Sequence, residues 1–324
     1  MTKPKLALNW TASCGGCEIA VLEIKEKILD VANIFDIVFW PCVMDFKYSD
    51  LEKFKSKEID LCLFNGAIRT SEHEHLAKLL REKSKVLVAY GACACEGGIP
   101  GLANQFDKES IFQRVYVEIP SNQNKDKKFP QENNDMPEGK VQIPAFYDTV
   151  KSLKQIVPVE YFIPGCPPLE KTTWKALETV VKGELPPVGS YLGAGDKTVC
   201  EECPRKKEEK KIKRFYRSHL KLPEPEKCLL EQGIICAGPA TRSGCEGACL
   251  KANLPCWGCY GPAQGVVDVG AKFMSALASV IDSDDEKEIN KILEGIVDPI
   301  GTFYRFGLAG SILRRRKISQ EKKG

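Results

Sequence analysis

The sequence predicts an α/β fold in its first half, a parallel sheet with helices on both faces, and a second half with little regular structure. Three observations predict it. Strand-like and helix-like runs alternate up to about residue 185. Four cysteines, Cys14, Cys17, Cys93 and Cys166, fall in Gly- and Pro-rich turns that each follow a strand candidate. Eight more, at 200, 203, 228, 236, 245, 249, 256 and 259, crowd a stretch punctuated by Gly and Pro.

Taken in order, the strand candidates are Lys5 to Trp10, Ile34 to Trp40, Ile59 to Asn65, Val86 to Tyr90 and Val159 to Ile163. Helical spacing of apolar residues marks Cys17 to Val31, Ser71 to Lys85 and Leu169 to Gly183. The almost wholly polar stretch from Ser121 to Lys140 reads as a long exposed loop before the last strand. Beyond about Pro187 helical periodicity returns only at Val266 to Ile281 and Asp285 to Ile296, so the domain boundary is expected near Leu185 to Gly195. So irregular and cysteine-rich a segment is expected to fold around bound metal, whose binding free energy then adds to folding.

Composition narrows what the cysteines do. With 324 residues and 43% apolar content the chain can build real cores and does not need disulfides. The start, Met1-Thr2-Lys3-Pro4, has no secretory order of charged, apolar and small-residue regions, and no apolar run reaches membrane-spanning length. A cytoplasmic location is expected, where thiols stay reduced and clustered cysteines are ligands. A net charge of +3 gives no sign of a nucleic-acid binder, and no G-x-G-x-x-G or P-loop follows the first strand.

Cys14-Gly15-Gly16-Cys17 follows the first strand, Gly91-Ala92-Cys93-Ala94-Cys95-Glu96-Gly97-Gly98 the fourth and Pro164-Gly165-Cys166-Pro167-Pro168 the fifth. All four cysteines are therefore expected at the carboxyl ends of strands of one sheet, where ligands bind in open parallel sheets. Glycines there let backbone N–H groups approach cluster sulfurs, and the helix starting near Cys17 turns its positive end to the thiolates. By itself the Cys14-x-x-Cys17 pair also suits a thioredoxin-like redox pair or half of a zinc site. In the second half, Cys200-x-x-Cys203 and Cys256-x-x-Cys259 bracket Cys228, Cys236, Cys245 and Cys249, eight ligands that divide into two fours. Spacing leaves iron–sulfur and zinc both open there.

The phrases Thr11-Ala12-Ser13-Cys14-Gly15-Gly16-Cys17, Gly91-Ala92-Cys93-Ala94, Gly165-Cys166-Pro167-Pro168 and Pro255-Cys256-Trp257-Gly258-Cys259 resemble, in order and along nearly the whole chain, the small subunit of nickel-iron hydrogenases. The runs Val88 to Gly101 and Cys228 to Cys245 resemble most the cytoplasmic methyl-viologen-reducing type that partners heterodisulfide reductase; sulfhydrogenases are close relatives. The resemblance implies a flavodoxin-like domain over 1–188 and an irregular iron–sulfur domain with a few helices over 189–324. It further implies three [4Fe-4S] clusters: a proximal one on Cys14, Cys17, Cys93 and Cys166, a medial one on Cys245, Cys249, Cys256 and Cys259, and a distal one on Cys200, Cys203, Cys228 and Cys236. Cys200 stands where periplasmic members carry a histidine, and Cys249 replaces a proline that leaves their medial cluster one iron short. Oxygen-tolerant members carry two extra cysteines at positions matching Gly16 and Gly98, so an oxygen-sensitive enzyme with an ordinary proximal cluster is expected.

By the same resemblance the chain carries electrons from H2 oxidation and does no hydrogen chemistry alone, since it lacks the two terminal Cys-x-x-Cys motifs that hold nickel in the large subunit. Implied partners are that large subunit, an iron–sulfur adaptor subunit and a flavin-containing heterodisulfide reductase, with neither nucleic acid nor membrane. Two rivals remain: a sulfhydrogenase small subunit feeding a nucleotide-reducing flavoprotein, and a zinc-stabilised scaffold without redox activity. A quinone-side relative is disfavoured because its first motif carries adjacent cysteines and it lacks the second half.

Cys42 and Cys62 read as small buried hydrophobes, and Cys95, two residues from a ligand position, as a neighbour open to a supporting role. Glu18, next to Cys17, reads as a carboxylate stabilised at a helix N-terminus ahead of a group touching the proton or electron route at the subunit contact. His73 and His75 read as solvent-exposed, His219 has no ligand partner nearby, and the run Arg205 to Arg214 reads as a solvated face open to an acidic partner. Arg314 to Lys317 reads as a soluble tail.

Overall fold

A computed structural model describes residues 3–209, 211–217 and 219–314. Its strands are β1 (Lys5–Trp10), β2 (Asp36–Phe39), β3 (Ile59–Asn65), β4 (Ile68–Thr70), β5 (Ser84–Tyr90), β6 (Asn133–Met136), β7 (Gly139–Gln142), β8 (Phe146–Lys151) and β9 (Tyr161–Ile163). Helices α1 (Gly16–Leu22), α2 (Lys27–Ile34), α3 (Tyr48–Glu52), α4 (Ser71–Lys83), α5 (Ala92–Glu96), α6 (Lys108–Gln113) and α7 (Glu170–Lys182) accompany them. The second half adds α8 (Ala248–Lys251), α9 (Val269–Ala278), α10 (Glu286–Leu293) and α11 (Pro299–Phe303).

β1, β2, β3, β5 and β9 form one sheet, all parallel, in the order β2-β1-β3-β5-β9. Counting only these five, the order is 2-1-3-4-5, the flavodoxin-like arrangement with its switch point between the first and third members. The central strands β3 and β5 read Ile-Asp-Leu-Cys-Leu-Phe-Asn and Ser-Lys-Val-Leu-Val-Ala-Tyr and are almost wholly buried. That is what a parallel strand covered on both faces requires. Leu6, Leu8, Leu61, Leu63, Val88 and Tyr90 face one apolar layer with α1, α2 and α7. Ala7, Cys62, Phe64, Leu87 and Ala89 face the other, with α4 and Leu153. This first core runs on to Tyr191 and Leu192, because the Leu192 N–H bonds the Phe162 carbonyl beside β9.

The second half has its own core, in which Phe215, Leu229, Ile234, Phe273, Leu277, Phe303 and Leu308 enclose the cysteine-bearing loops. Contacts between the halves are direct. An added Cβ at Gly97 would lie 2.4 Å from the Ala309 methyl and one at Gly101 3.3 Å from it. Gln155 Nε2 donates to Ala309 O at 2.9 Å across the same contact.

The structure departs from the sequence reading in four places. The helix expected over Cys17 to Val31 is broken into α1 and α2, because Lys25 adopts a positive φ of 59° between them. The polar stretch 121–140 ends in a hairpin, β6 paired antiparallel with β7 and almost wholly exposed. A second small pair, β4 with β8, caps the end of the sheet beyond β3. Cys42 is exposed, not buried: β2 ends at Phe39 and Pro41 starts a turn that carries Cys42 out. Arg315 to Lys317 lie outside the described residues. Among the described residues no helix is long and apolar enough to cross a membrane.

Candidate metal centres

The loop after β1 is zipped to the loop after β3, with Ala12 N–H bonded to Ala67 O at 3.1 Å and Ala67 N–H to Ala12 O at 3.0 Å. The loop after β5 is likewise tied to the loop after β9, through Gly91 N–H to Ile163 O at 2.8 Å and Ala92 N–H to Gly165 O at 2.7 Å. These two ties bring Cys14, Cys17, Cys93 and Cys166 to one end of the sheet. Burial raises the Cys17 thiol far above its ordinary range, and Cys93, Cys166 and Cys14 add to the rise by repulsion. Cys93 is pushed up to about 12 by burial, then by Cys166 and Cys14. A set of thiols that repel one another as thiolates is one that a bound cation would stabilise.

Glycine leaves the space around these sulfurs. A Cβ on Gly91, at φ 86°, would sit 2.3 Å from the Cys17 Sγ, and one on Gly98, at φ 55°, 2.6 Å from the Cys93 Sγ. Both positions need a residue without a side chain, for conformation and for room.

Cys245, Cys249, Cys256 and Cys259 line a single cavity of about 640 Å³, together with Cys166, Thr241, Trp257, Tyr260 and Phe306. Backbone N–H groups point at the sulfurs: those of Gly247 and Ala248 pull the Cys245 thiol down against its burial, and that of Gly258 does so for Cys256. Thr241 is buried with its hydroxyl 3.5 Å from the Cys256 Sγ while donating to Ala237 O at 2.7 Å. Thr241 Oγ1 thus accepts from the Cys256 thiol, and it is the backbone amides that set the electron density on these ligand sulfurs.

The remaining four also converge. Cys228 is held beside Cys203 because Lys206 N–H bonds Glu226 O at 2.7 Å and Cys228 N–H bonds Lys206 O at 2.8 Å. An added Cβ at Gly238 would lie 3.2 Å from the Cys200 Sγ and 3.6 Å from the Cys236 Sγ, so these two sulfurs share one glycine-lined space. Cys200 is raised by burial and by Cys228 and Cys203, and lowered by the Lys207 ammonium.

The three sets touch. Cys166 lines the cavity of the second set beside Cys259, whose thiol its backbone N–H pulls down against burial, and the Cys256 N–H donates to the Cys236 Sγ at 3.3 Å. All fifteen cysteines are free thiols. Among the described residues no three Cys, His, Asp or Glu side chains close on one point as the shell of a single ion would. Glycine-cleared space at the first and third sets, a cavity ringed by four sulfurs at the second and converging amide donors suit a group larger than one ion.

The cysteines outside the sets have other tasks. Cys62 is fully buried in the sheet core. Cys95 donates its thiol to Ala89 O at 3.3 Å and Ile163 O at 3.6 Å, pinning the ends of β5 and β9 together. Glu18 lies in the first turn of α1, as expected, but is buried there: it is 4% exposed and accepts from the Trp40 indole N–H and, at 3.2 Å, from Asn65 Nδ2. Burial raises its carboxyl despite those two bonds. Nothing in the spacing of Trp40 and Asn65 announced this, because they come from two other strand ends. His73 is half-buried, its Nδ1 accepting from Arg69 N–H at 3.3 Å at the start of α4, whereas His75 is exposed.

The sequence profile of the NADH ubiquinone oxidoreductase 20 kDa subunit family matches residues 14–180. The chain is 38% identical to the iron-sulfur subunit of the F420-non-reducing hydrogenase of Archaeoglobus profundus, over 96% of this chain and 98% of that one. To the matching vhu subunit of the F420-non-reducing hydrogenase of Methanocaldococcus jannaschii it is 36% identical, over 96% and 97%. Among solved structures, a [NiFeSe]-hydrogenase chain of Dm. baculatum superposes with a TM-score of 0.50 at 20% identity, covering 81% of this chain and 95% of its own, a likeness of fold.

Proposed function

Because the chain belongs to the iron-sulfur subunit family of the F420-non-reducing hydrogenases and is thus a subunit of a hydrogenase, an oxidoreductase, we propose that it is the small subunit that conducts electrons from H2 oxidation in a separate large subunit to an acceptor module. In this reading Cys14, Cys17, Cys93 and Cys166 hold a proximal cluster, Cys245, Cys249, Cys256 and Cys259 a medial one, and Cys200, Cys203, Cys228 and Cys236 a distal one. When bound, three [4Fe-4S] clusters would supply one-electron carriers in series.

The observation that carries the reading is the adjacency of the three cysteine sets: Cys166 lines the same cavity as Cys245, Cys249, Cys256 and Cys259, and the Cys256 N–H donates to the Cys236 Sγ. Each set thus adjoins the next, as a relay of electron carriers needs. The chain's own residues do the rest. Glycines 91, 98 and 238 clear space beside the sulfurs, the amides of Gly247, Ala248 and Gly258 set their electron density, and the two cores exclude water. An all-cysteine ligand set puts more negative charge on each centre than sets with histidine, which favours low potential and low-potential acceptors.

Around Cys14 the surface is apolar, with Trp10, Ile19, Leu22, Val43 and Met44 exposed. Exposed apolar area of this kind supports docking of the large subunit against the proximal set. An iron–sulfur adaptor and a flavin-containing heterodisulfide reductase are our acceptor assignment, in a cytoplasmic complex. The division into units 1–188 and 189–324 is our working description of the chain.

Anaerobic co-purification with the large subunit, followed by iron and acid-labile sulfide analysis, tests the reading. About twelve irons with matching sulfide per chain support it; zinc without sulfide sinks it. Retention of a nucleotide-reducing flavoprotein in place of the heterodisulfide reductase would instead favour the sulfhydrogenase assignment.

A further inference from the structure

Charge on this chain is segregated. Between Cys203 and Cys228 lie ten Lys and Arg against four Glu, so that one stretch holds more positive charge than the +3 of the whole chain, and the remainder is net negative. Among the described residues Lys206, Lys207, Lys211, Lys213, Arg214 and Arg217 are exposed. Of their carboxylates within reach, Glu226 pairs with Lys206 at 3.7 Å and Glu209 with Lys211 at 2.9 Å, both at the surface where such pairs are weak.

This basic stretch is fastened to the distal cysteines. Lys207 donates its ammonium to Cys200 O at 3.3 Å, and Cys228 N–H bonds Lys206 O. Where the stretch ends, Leu220 and Leu222 stand in solvent, 60% and 88% exposed. Beside them a groove of about 260 Å³ is lined by Arg217, His219, Ile235, Trp257 and Arg305, with Asp298 as its single carboxylate. Its floor is next to the ligand chain itself, since Ile235 precedes Cys236 and Trp257 follows Cys256. The Arg305 guanidinium lies 4.2 Å over the Trp257 ring, so the aromatic floor carries positive charge too.

We propose that this face, the exposed Lys206, Lys207, Lys211, Lys213, Arg214 and Arg217 with the groove beside them, is the exit dock of the relay, and that its occupant is an acidic one-electron carrier protein. The inference rests on the electron-transfer reading and names the chemistry of its partner. Positive potential concentrated at one end steers a negatively charged partner to that end and raises the encounter rate by about tenfold or more. The exposed leucines and Trp257 supply the apolar centre that a charged rim alone lacks. The opposite end, around Cys14, is apolar and has no such excess, so a carrier of this kind is directed away from the large-subunit contact.

The test uses the hydrogenase formed by this full chain and its large subunit, freed of the acceptor module that would cover the exit face, with an acidic two-cluster ferredoxin as probe, following its H2-driven reduction. Raising ionic strength from about 0.02 to 0.5 M shrinks the screening length severalfold, and the second-order rate is expected to fall about tenfold or more. The triple variant Lys206→Glu, Lys213→Glu, Arg217→Glu is expected to be equally slow at low salt, with iron and sulfide content unchanged; Lys175→Glu on α7 is expected to match the parent. A rate indifferent to salt and to the triple reversal, an equal loss in Lys175→Glu, or tight binding of duplex DNA with ferredoxin reduction unaffected would each overturn the proposal. Missing iron and sulfide in the parent would instead bring down the electron-transfer reading, which keeps the two failures apart.

Discussion

The backbone N–H of Cys256 donates to the Sγ of Cys236 across 3.3 Å, so a residue of the Cys256-x-x-Cys259 pair supports a sulfur of a different cysteine set. Both residues are buried. In the proposed assignment the medial and distal sites are therefore not independent pockets but share a wall, and a change at one is expected to register at the other.

Cys249 offers the mildest way to alter the medial set. It is exposed near the start of α8, in the first turn, where a proline costs little. Cys249→Pro is expected to leave the fold intact and to lower iron from about twelve to about eleven per chain, with a three-iron spectrum by electron paramagnetic resonance in the oxidised protein. Loss of four irons, or of none, would show that Cys249 is not a ligand of this kind.

Gly91→Ala and Gly98→Ala are expected to empty the proximal site alone. Each new methyl would overlap a sulfur, at 2.3 and 2.6 Å, at a φ that L-residues avoid. About four irons of twelve should disappear while the other eight stay. Gly139→Ala, at the start of β7 with nothing within 4 Å, should keep full iron at a cost of about 1–3 kcal/mol from its backbone alone.

Glu18→Ala leaves two buried donors, Trp40 Nε1 and Asn65 Nδ2, without their acceptor. At about 1–3 kcal/mol for each orphaned group the expected loss is about 2–6 kcal/mol, read from chemical unfolding. Glu18→Gln retains one acceptor oxygen and should lose less than half as much. Equal losses in the two variants would show that the carboxylate is not holding those donors.

His73 gives the first core a pH dependence. Burial lowers its basicity below the ordinary 6.5, and its Nδ1 must stay unprotonated to accept from Arg69 N–H. With the folded value below the unfolded one, its contribution is fully present above pH 6.5 and is lost as pH falls toward the folded value. His73→Gln is expected to flatten that slope between about pH 5 and 7 in thermal unfolding; an unchanged slope would assign it to other groups.

What the sequence made legible was whatever leaves a local period or a local motif. β1 and β3 lie where their apolar runs put them, and the loops bearing Cys14, Cys17, Cys93 and Cys166 follow strands as their Gly-rich phrases suggest. Illegible were features created by two distant segments meeting. The Glu18 carboxylate is buried only because Trp40 and Asn65 arrive from other strands, and Cys95 is a strand pin only because Ala89 and Ile163 end side by side. The break at Lys25 was hidden for another reason: a lysine carries no mark of a left-handed backbone, as a glycine would.

The packing of Gly97 and Gly101 on Ala309 ties the helix that bears Cys93 to a segment made more than two hundred residues later. The residues through Cys166 form the sheet and carry its four cysteines, yet Gly97 and Gly101 gain their Ala309 cover only from a residue translated after Cys259. A chain cut short before Ala309 therefore keeps every one of the twelve clustered cysteines and still lacks the contact that closes over the turn after Cys93.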